Sequence, residues 1–196
     1  MVEGVTISVM NPKLYHLIIT ELRNRGYKLV HDGKFVITDR NDEGKERTLL
    51  IRDEKEVPKI VGEISALTRG KEEFNEILIG VDTNPPNLTV AVVADGELID
   101  YYVRVKKDEL CDLFSKIISM YPHRRYIIGI GIGNLFGYDV LRLTKERFPD
   151  VRKVNEYRSS SRTHLIQVKD SDVRAAFVIA IRAAKGNSRQ KDETPY

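Results

Sequence analysis

The chain has 196 residues, of which 41% are hydrophobic and 31% charged, with a formal net charge of +3. That length can bury a core in one large domain or two small ones, and no apolar run approaches the roughly 20 residues of a membrane-spanning helix. A single cysteine excludes an internal disulfide.

The opening residues MVEGVTISVM lack the basic start of a signal peptide. With the absence of apolar spans this predicts a cytoplasmic protein with no membrane partner. VTISV is a candidate strand. Asn11 and Pro12 then open LYHLIITELRNRG, where Asn can cap, Pro suits the first helical position and Gly26 can close the end. Leu14, Leu17, Ile18 and Leu22 recur at helical spacing. YKLV and FVIT, separated by HDGK, predict a hairpin turning at Asp32-Gly33. A polar loop over 41–45, a short strand TLLI and an amphipathic helix over 57–67 complete a β-α-β-β-β-α segment. His16 and His31 are isolated histidines, and this segment shows no catalytic constellation. Residues 1–70 form the predicted N-terminal α/β domain, and the polar RGKEEFN at 69–75 reads as a linker.

Beyond it, ILIGVD, LTVAVVA and ELIDYYVRV are strands joined by TNPPN and by Asp95-Gly96, an antiparallel meander. Residues 107–121 place Leu110, Leu113, Phe114, Ile117 and Ile118 on one helical face, stopped by Pro122. Cys111 falls inside this pattern and reads as a small core or boundary residue rather than a nucleophile. RYIIGIGIG is a buried strand and 138–148 a helix ended before Pro149. VRKV is a short strand, and 155–170 is mostly loop with a candidate strand at HLIQV. Residues 171–184 form a final alanine-rich helix, and 187–196 a disordered tail. The glycines of IGIGIGN alternate and lack the Lys-Ser/Thr of a P-loop, so close backbone packing is the better reading.

Charge is unevenly spread. Residues 125–191 carry 14 basic and 6 acidic side chains, a balance of +8 that suits a polyanionic partner and equally a solvated lysine-rich surface. The scarcity of Gln and Cys, the absence of Trp and the wealth of Lys, Arg and Glu fit a heat-adapted protein.

An acid ending an apolar strand is unusual, and here the order of elements gives it meaning. ILIGVDTNPPNLTVAVV resembles the opening hairpin of RNase H-like domains, in particular the RuvC/YqgF-type Holliday-junction resolvase branch. RRYIIGIGIGN is similar to that branch's fourth strand, VNEYRSS to its acid-Glu-Arg-type motif, and DSDVRAAFVIAIRAA to its last helix. The likeness covers 77–185 and implies an α/β fold with an RNase H-like mixed sheet, β-β-β-α-β-α-β-α, over 76–186. It further implies a metal-dependent nuclease acting on structured DNA or RNA. Two Mg²⁺ or Mn²⁺ ions about 4 Å apart would neutralise the attacking and leaving oxygens, held by hard carboxylates.

By resemblance Asp82, Glu156 and Asp172 are the catalytic and metal-binding residues, with Asp170, Asp139 and Asn134 as possible further ligands. Arg158, Arg162, His164 and Lys169 would bind the nucleic acid through its phosphates. Each has a plain alternative. Asp82 could brace its own turn, Glu156 could pair with Arg158, and Asp170 and Asp172 sit where helix-capping acids belong.

The sequence departs from the branch twice, with Asn134 and Asn155 where acids are usual. That supports a second expectation, an RNase H-like module without catalysis that binds nucleic acid or a protein partner. A homodimer is also allowed. An actin-like ATPase shares the first hairpin, but this chain is too short for the two halves that fold needs.

Overall fold

The computed structural model describes residues 2–41, 47–155 and 168–185 of this mixed α/β chain. It divides into two units, Met1–Glu73 with Ser119–Pro122, and Phe74–Ile118 with His123–Tyr196. The candidate loop at 41–45, most of the HLIQV strand and the tail fall largely outside the described residues.

In the first unit β1 (Val2–Ser8), β2 (Gly33–Thr38) and β3 (Thr48–Leu50) form a parallel sheet in the order β1-β2-β3. The unit also contains α1 (Pro12–Asn24) and α2 (Val57–Leu67). The Asn11 side chain accepts the N–H groups of Lys13 and Leu14, and Gly26 adopts φ 75° beyond the helix. Both are the expected end signals. Leu14, Ile18 and Leu22 are buried along one face of α1, and Val57, Ile60, Val61 and Ile64 along α2.

The predicted hairpin is not there. Leu29 makes a parallel bridge to Val5, and β2 also runs parallel to β1. A two-residue hairpin turn of type I′ needs positive φ at both central residues, and neither Asp32 nor Gly33 has one. Gly33 answers a different need: a Cβ there would lie 2.6 Å from the Gly4 carbonyl oxygen. It allows the chain to pass close against β1.

The second unit holds β4 (Phe74–Asp82), β5 (Leu88–Ala94), β6 (Glu97–Val105), α3 (Leu110–Met120) up to Ile118, β7 (His123–Gly131), α4 (Leu135–Arg147), β8 (Arg152–Val154) and α5 (Ser171–Lys185). Its five-stranded sheet has the order β6-β5-β4-β7-β8. The β6-β5-β4 half is antiparallel and the β4-β7-β8 half parallel. The β5–β6 turn is a true Asp-Gly turn, with φ 48° at Asp95 and 91° at Gly96, the two positive values that type I′ requires. β4 begins at Phe74, inside the expected linker, because Phe74 is fully buried and pairs with His123.

α5 lies on β4, β5 and β7. It buries Ala176, Phe177 and Ala180 against Leu78, Ala91 and Val93. Burying a side chain such as Phe177 stabilises the fold by about 1.5–3 kcal/mol. The close approach depends on two glycines. A Cβ at Gly80 would overlap the Ala176 carbonyl oxygen, and one at Gly129 would lie 2.5 Å from the Ala183 Cβ. Of the alternating glycines around β7, Gly129 thus serves close packing, as the pattern suggested. Ile79, Val81, Ile128 and Ile130 alternate with these positions and are buried on the other face. There α4 packs on β7, and Phe114 of α3 meets Phe148 edge-on at 5.6 Å.

Candidate functional site

Asp82 is the last residue of β4, the central strand, and only 4% exposed. Thr89 lies opposite it on β5 and is also buried. The Asn84 side-chain amide donates to Asp82 Oδ2 at 2.9 Å, which orients the carboxylate from within its own turn. This is the local bracing that the turn sequence allowed. Burying a carboxylate is costly unless it is paired or hydrogen-bonded, and the Asn84 amide supplies such a hydrogen bond.

The adjoining strand ends are latched together. Thr83 Oγ1 donates to the Gly131 carbonyl at 3.1 Å, and the Asn134 amide donates to the Thr83 carbonyl at 2.9 Å. Asn134 Oδ1 meanwhile accepts the Gly137 N–H at 2.9 Å, capping α4. Asn134 therefore uses both ends of its amide. An aspartate could keep the cap but, ionised, has no proton for Thr83. Gly137 is needed for the same closeness, since a Cβ there would stand 2.5 Å from the Gly131 carbonyl oxygen. This cap also starts α4 at Leu135, three residues before the expected 138.

Alternation along β4 puts Asp82 on the face of Leu78 and Gly80, the face α5 covers. On α5, Asp172 stands one turn before Ala176, which meets Gly80, and so shares its helix face. The two carboxylates are thus carried on contacting faces of packed elements. Asp172 is half-buried and accepts from the Ser171 hydroxyl at 3.2 Å. Asp170 is the cap of α5, its Oδ1 accepting the N–H groups of Asp172 at 2.9 Å and Val173 at 3.2 Å.

Asp139 is an exposed residue of α4 paired with Arg142 at 3.7 Å. Lys169 is exposed, and its carbonyl accepts from Arg174 at 2.6 Å. Glu156, Arg158, Arg162 and His164 lie outside the described residues. Asn155, just before them, accepts from Arg182 of α5 through its carbonyl at 2.8 Å, which fixes the end of β8 to α5. Among the described residues no three His, Cys, Asp or Glu side chains are grouped closely enough to hold a metal ion. Asp82 and Asp172 supply two carboxylates, and a two-metal centre requires more.

Elsewhere Cys111 is half-buried, and its thiol is pushed above its ordinary value of 9.0 by burial, opposed in part by the nearby Arg147. Burial thus works against thiolate formation at this position. No described helix is long and apolar enough to cross a membrane. A scan against protein-family models and a search of curated proteins both find no match for this chain.

Proposed function

We propose that the second unit is an RNase H-like domain of the RuvC/YqgF type, acting as a metal-dependent nuclease on structured DNA or RNA. The observation that carries this reading is Asp82, a carboxylate 4% exposed at the end of the central strand of a sheet ordered β6-β5-β4-β7-β8. The antiparallel half followed by a parallel half, and a last helix opening with Asp170 and Asp172 against the same face, support it further. Asp82 and Asp172 would hold Mg²⁺ or Mn²⁺ together with Glu156. The bound ions would supply charge neutralisation at the scissile phosphate. The chain's own part is to hold the carboxylates rigidly on a strand end and a helix start, with the Thr83–Asn134 latch fixing the neighbouring backbone.

The commitment of Asn134 to a cap and a latch favours one alternative, a module that binds nucleic acid or a protein partner without cleaving it. Incubation of the full chain with branched and single-stranded DNA and RNA, with Mg²⁺ or Mn²⁺, separates the two. Replacing even an outer partner of a metal ligand costs 10–100-fold, so Asp82→Asn should lower cleavage by more than about 100-fold. Cleavage unchanged by Asp82→Asn would refute the site. Salt-sensitive nucleic-acid binding without Mn²⁺ binding in calorimetry would select the non-catalytic module.

A further inference from the structure

The first unit holds an open groove of about 1020 Å³, with every lining residue drawn from that unit. This is at the upper end of the roughly 300–1,000 Å³ typical of ligand sites. One wall is α1. Its buried stripe, Leu14, Ile18 and Leu22, faces the core, while the adjacent stripe of Tyr15, Ile19 and Arg23 lines the groove. The other wall comes from the parallel sheet and includes Val36, Thr38 and Ser8.

The chemistry is one-sided. No carboxylate occurs among the described residues lining the groove, whereas Arg23 and His31 stand in it. Beyond the lining, at the Ser8 end, the Arg40 guanidinium donates to Ser8 Oγ at 3.3 Å and the Asp39 carboxylate accepts the N–H groups of Met10 and Asn11. Arg23 makes no ion pair among the described residues. Tyr15 is 42% exposed, and the sheet wall below it is partly apolar. Tyr15 and Arg23 lie eight residues apart, about 12 Å along the helix. Tyr15, Ile19 and Arg23 recur every four residues and so share one stripe of the helix. A flat ring next to an apolar floor, with the Arg23 guanidinium on the same helix stripe and no carboxylate among the described lining residues, matches an aromatic base joined to a phosphate.

We infer that this groove binds a nucleoside phosphate, with the base against Tyr15 and the phosphate at Arg23. The unit could draw it from free nucleotides or from a single strand of nucleic acid. The site is built from residues of the first unit alone and stands whether or not the second unit cleaves anything.

The chain contains no tryptophan, so a Tyr15→Trp variant carries a fluorophore only in the groove. Titrating this full-length variant at low salt with free adenine and uridine nucleotides, and separately with short oligo-dT and oligo-U, reads stacking as quenching. Saturable quenching is expected, weakened about tenfold when Arg23→Gln is added. For a strand, losing that phosphate contact should also reduce the salt slope by about 0.7. Quenching by nucleotides alone identifies a free nucleotide as the source, and quenching by oligonucleotides alone a strand; either supports the site. Adding Asp82→Asn should leave the quenching intact, which keeps this test apart from that of the nuclease. No quenching by any probe would overturn the proposal. So would quenching indifferent to Arg23→Gln in a variant whose circular dichroism melt is unchanged.

Discussion

Asn134 occupies a position where the resemblance leads one to expect an acid, and its hydrogen bonds say what an acid would do there. Asn134→Asp keeps the Gly137 cap but turns a carboxylate toward the Thr83 carbonyl. Loss of a hydrogen bond costs about 0.5–1.5 kcal/mol net, so the urea midpoint of this variant should fall accordingly. Asn134→Ala loses the cap as well, a further cost of about 1 kcal/mol. Cys111 offers a second test. Because burial raises its pKa, less thiolate is present at any pH below that value than in the unfolded chain. Ellman's reagent at pH 8 should therefore react several-fold more slowly with the native protein than with the urea-unfolded one. Asp82 was legible in the sequence because a charge closing an apolar strand stands out, and Asp170 because an acid before a helix is a cap. The latch was not legible, since it joins residues 51 apart through the adjacency of β4 and β7.

At the scale of elements, the seating of α5 is set by which atoms its two glycines meet. Gly80 faces helix backbone, at the Ala176 carbonyl and the Ala180 N–H, whereas Gly129 faces chiefly the Ala183 methyl. Both glycine-to-alanine changes overpack, at about 1–3 kcal/mol or more, and Gly80→Ala should be the worse. Ala183→Gly should partly rescue Gly129→Ala, because it removes the nearest clashing atom, while Ala180→Gly should do little for Gly80→Ala. Thermal melts of the single and double variants give the ranking.

Most elements were readable because their ends carry strong signals. The helix over 57–67 matches α2, and Asp95-Gly96 turns a hairpin as expected. The identical dipeptide Asp32-Gly33 does not. Local chemistry permits that turn at both places. Only tertiary pairing decides, and in the first unit the strand found its partner in parallel β1. The groove of Tyr15 and Arg23 was hidden for the same reason, since it exists only once the sheet is parallel. β6 is an edge strand, and its pairing slips at two places while Arg104 adopts φ 57°. Such irregularities discourage edge-to-edge association.

At the scale of the whole molecule, the first unit is assembled from two separate stretches of the chain. Ser119–Pro122 belongs with the first unit although the chain on both sides belongs to the second. In this segment Met120 and Tyr121 are 1% and 2% exposed. The Met120 carbonyl lies where a side chain on Gly62 of α2 would be. A fragment beginning at Phe74 lacks α2 and should leave Met120 and Tyr121 uncovered. Its melting temperature is expected to be lower than that of the full chain, with added binding of a hydrophobic dye. A fragment as stable as the intact protein and without dye binding would show that the four residues need no such partner.

The same four residues bear on how the molecule is born. Domains generally mature in the order they leave the ribosome, the N-terminal one first. Here the first unit stays unfinished until Pro122 has emerged, by which time β4, β5, β6 and all of α3 have also been released. The first unit is therefore completed only after the strand that bears Asp82 has been released.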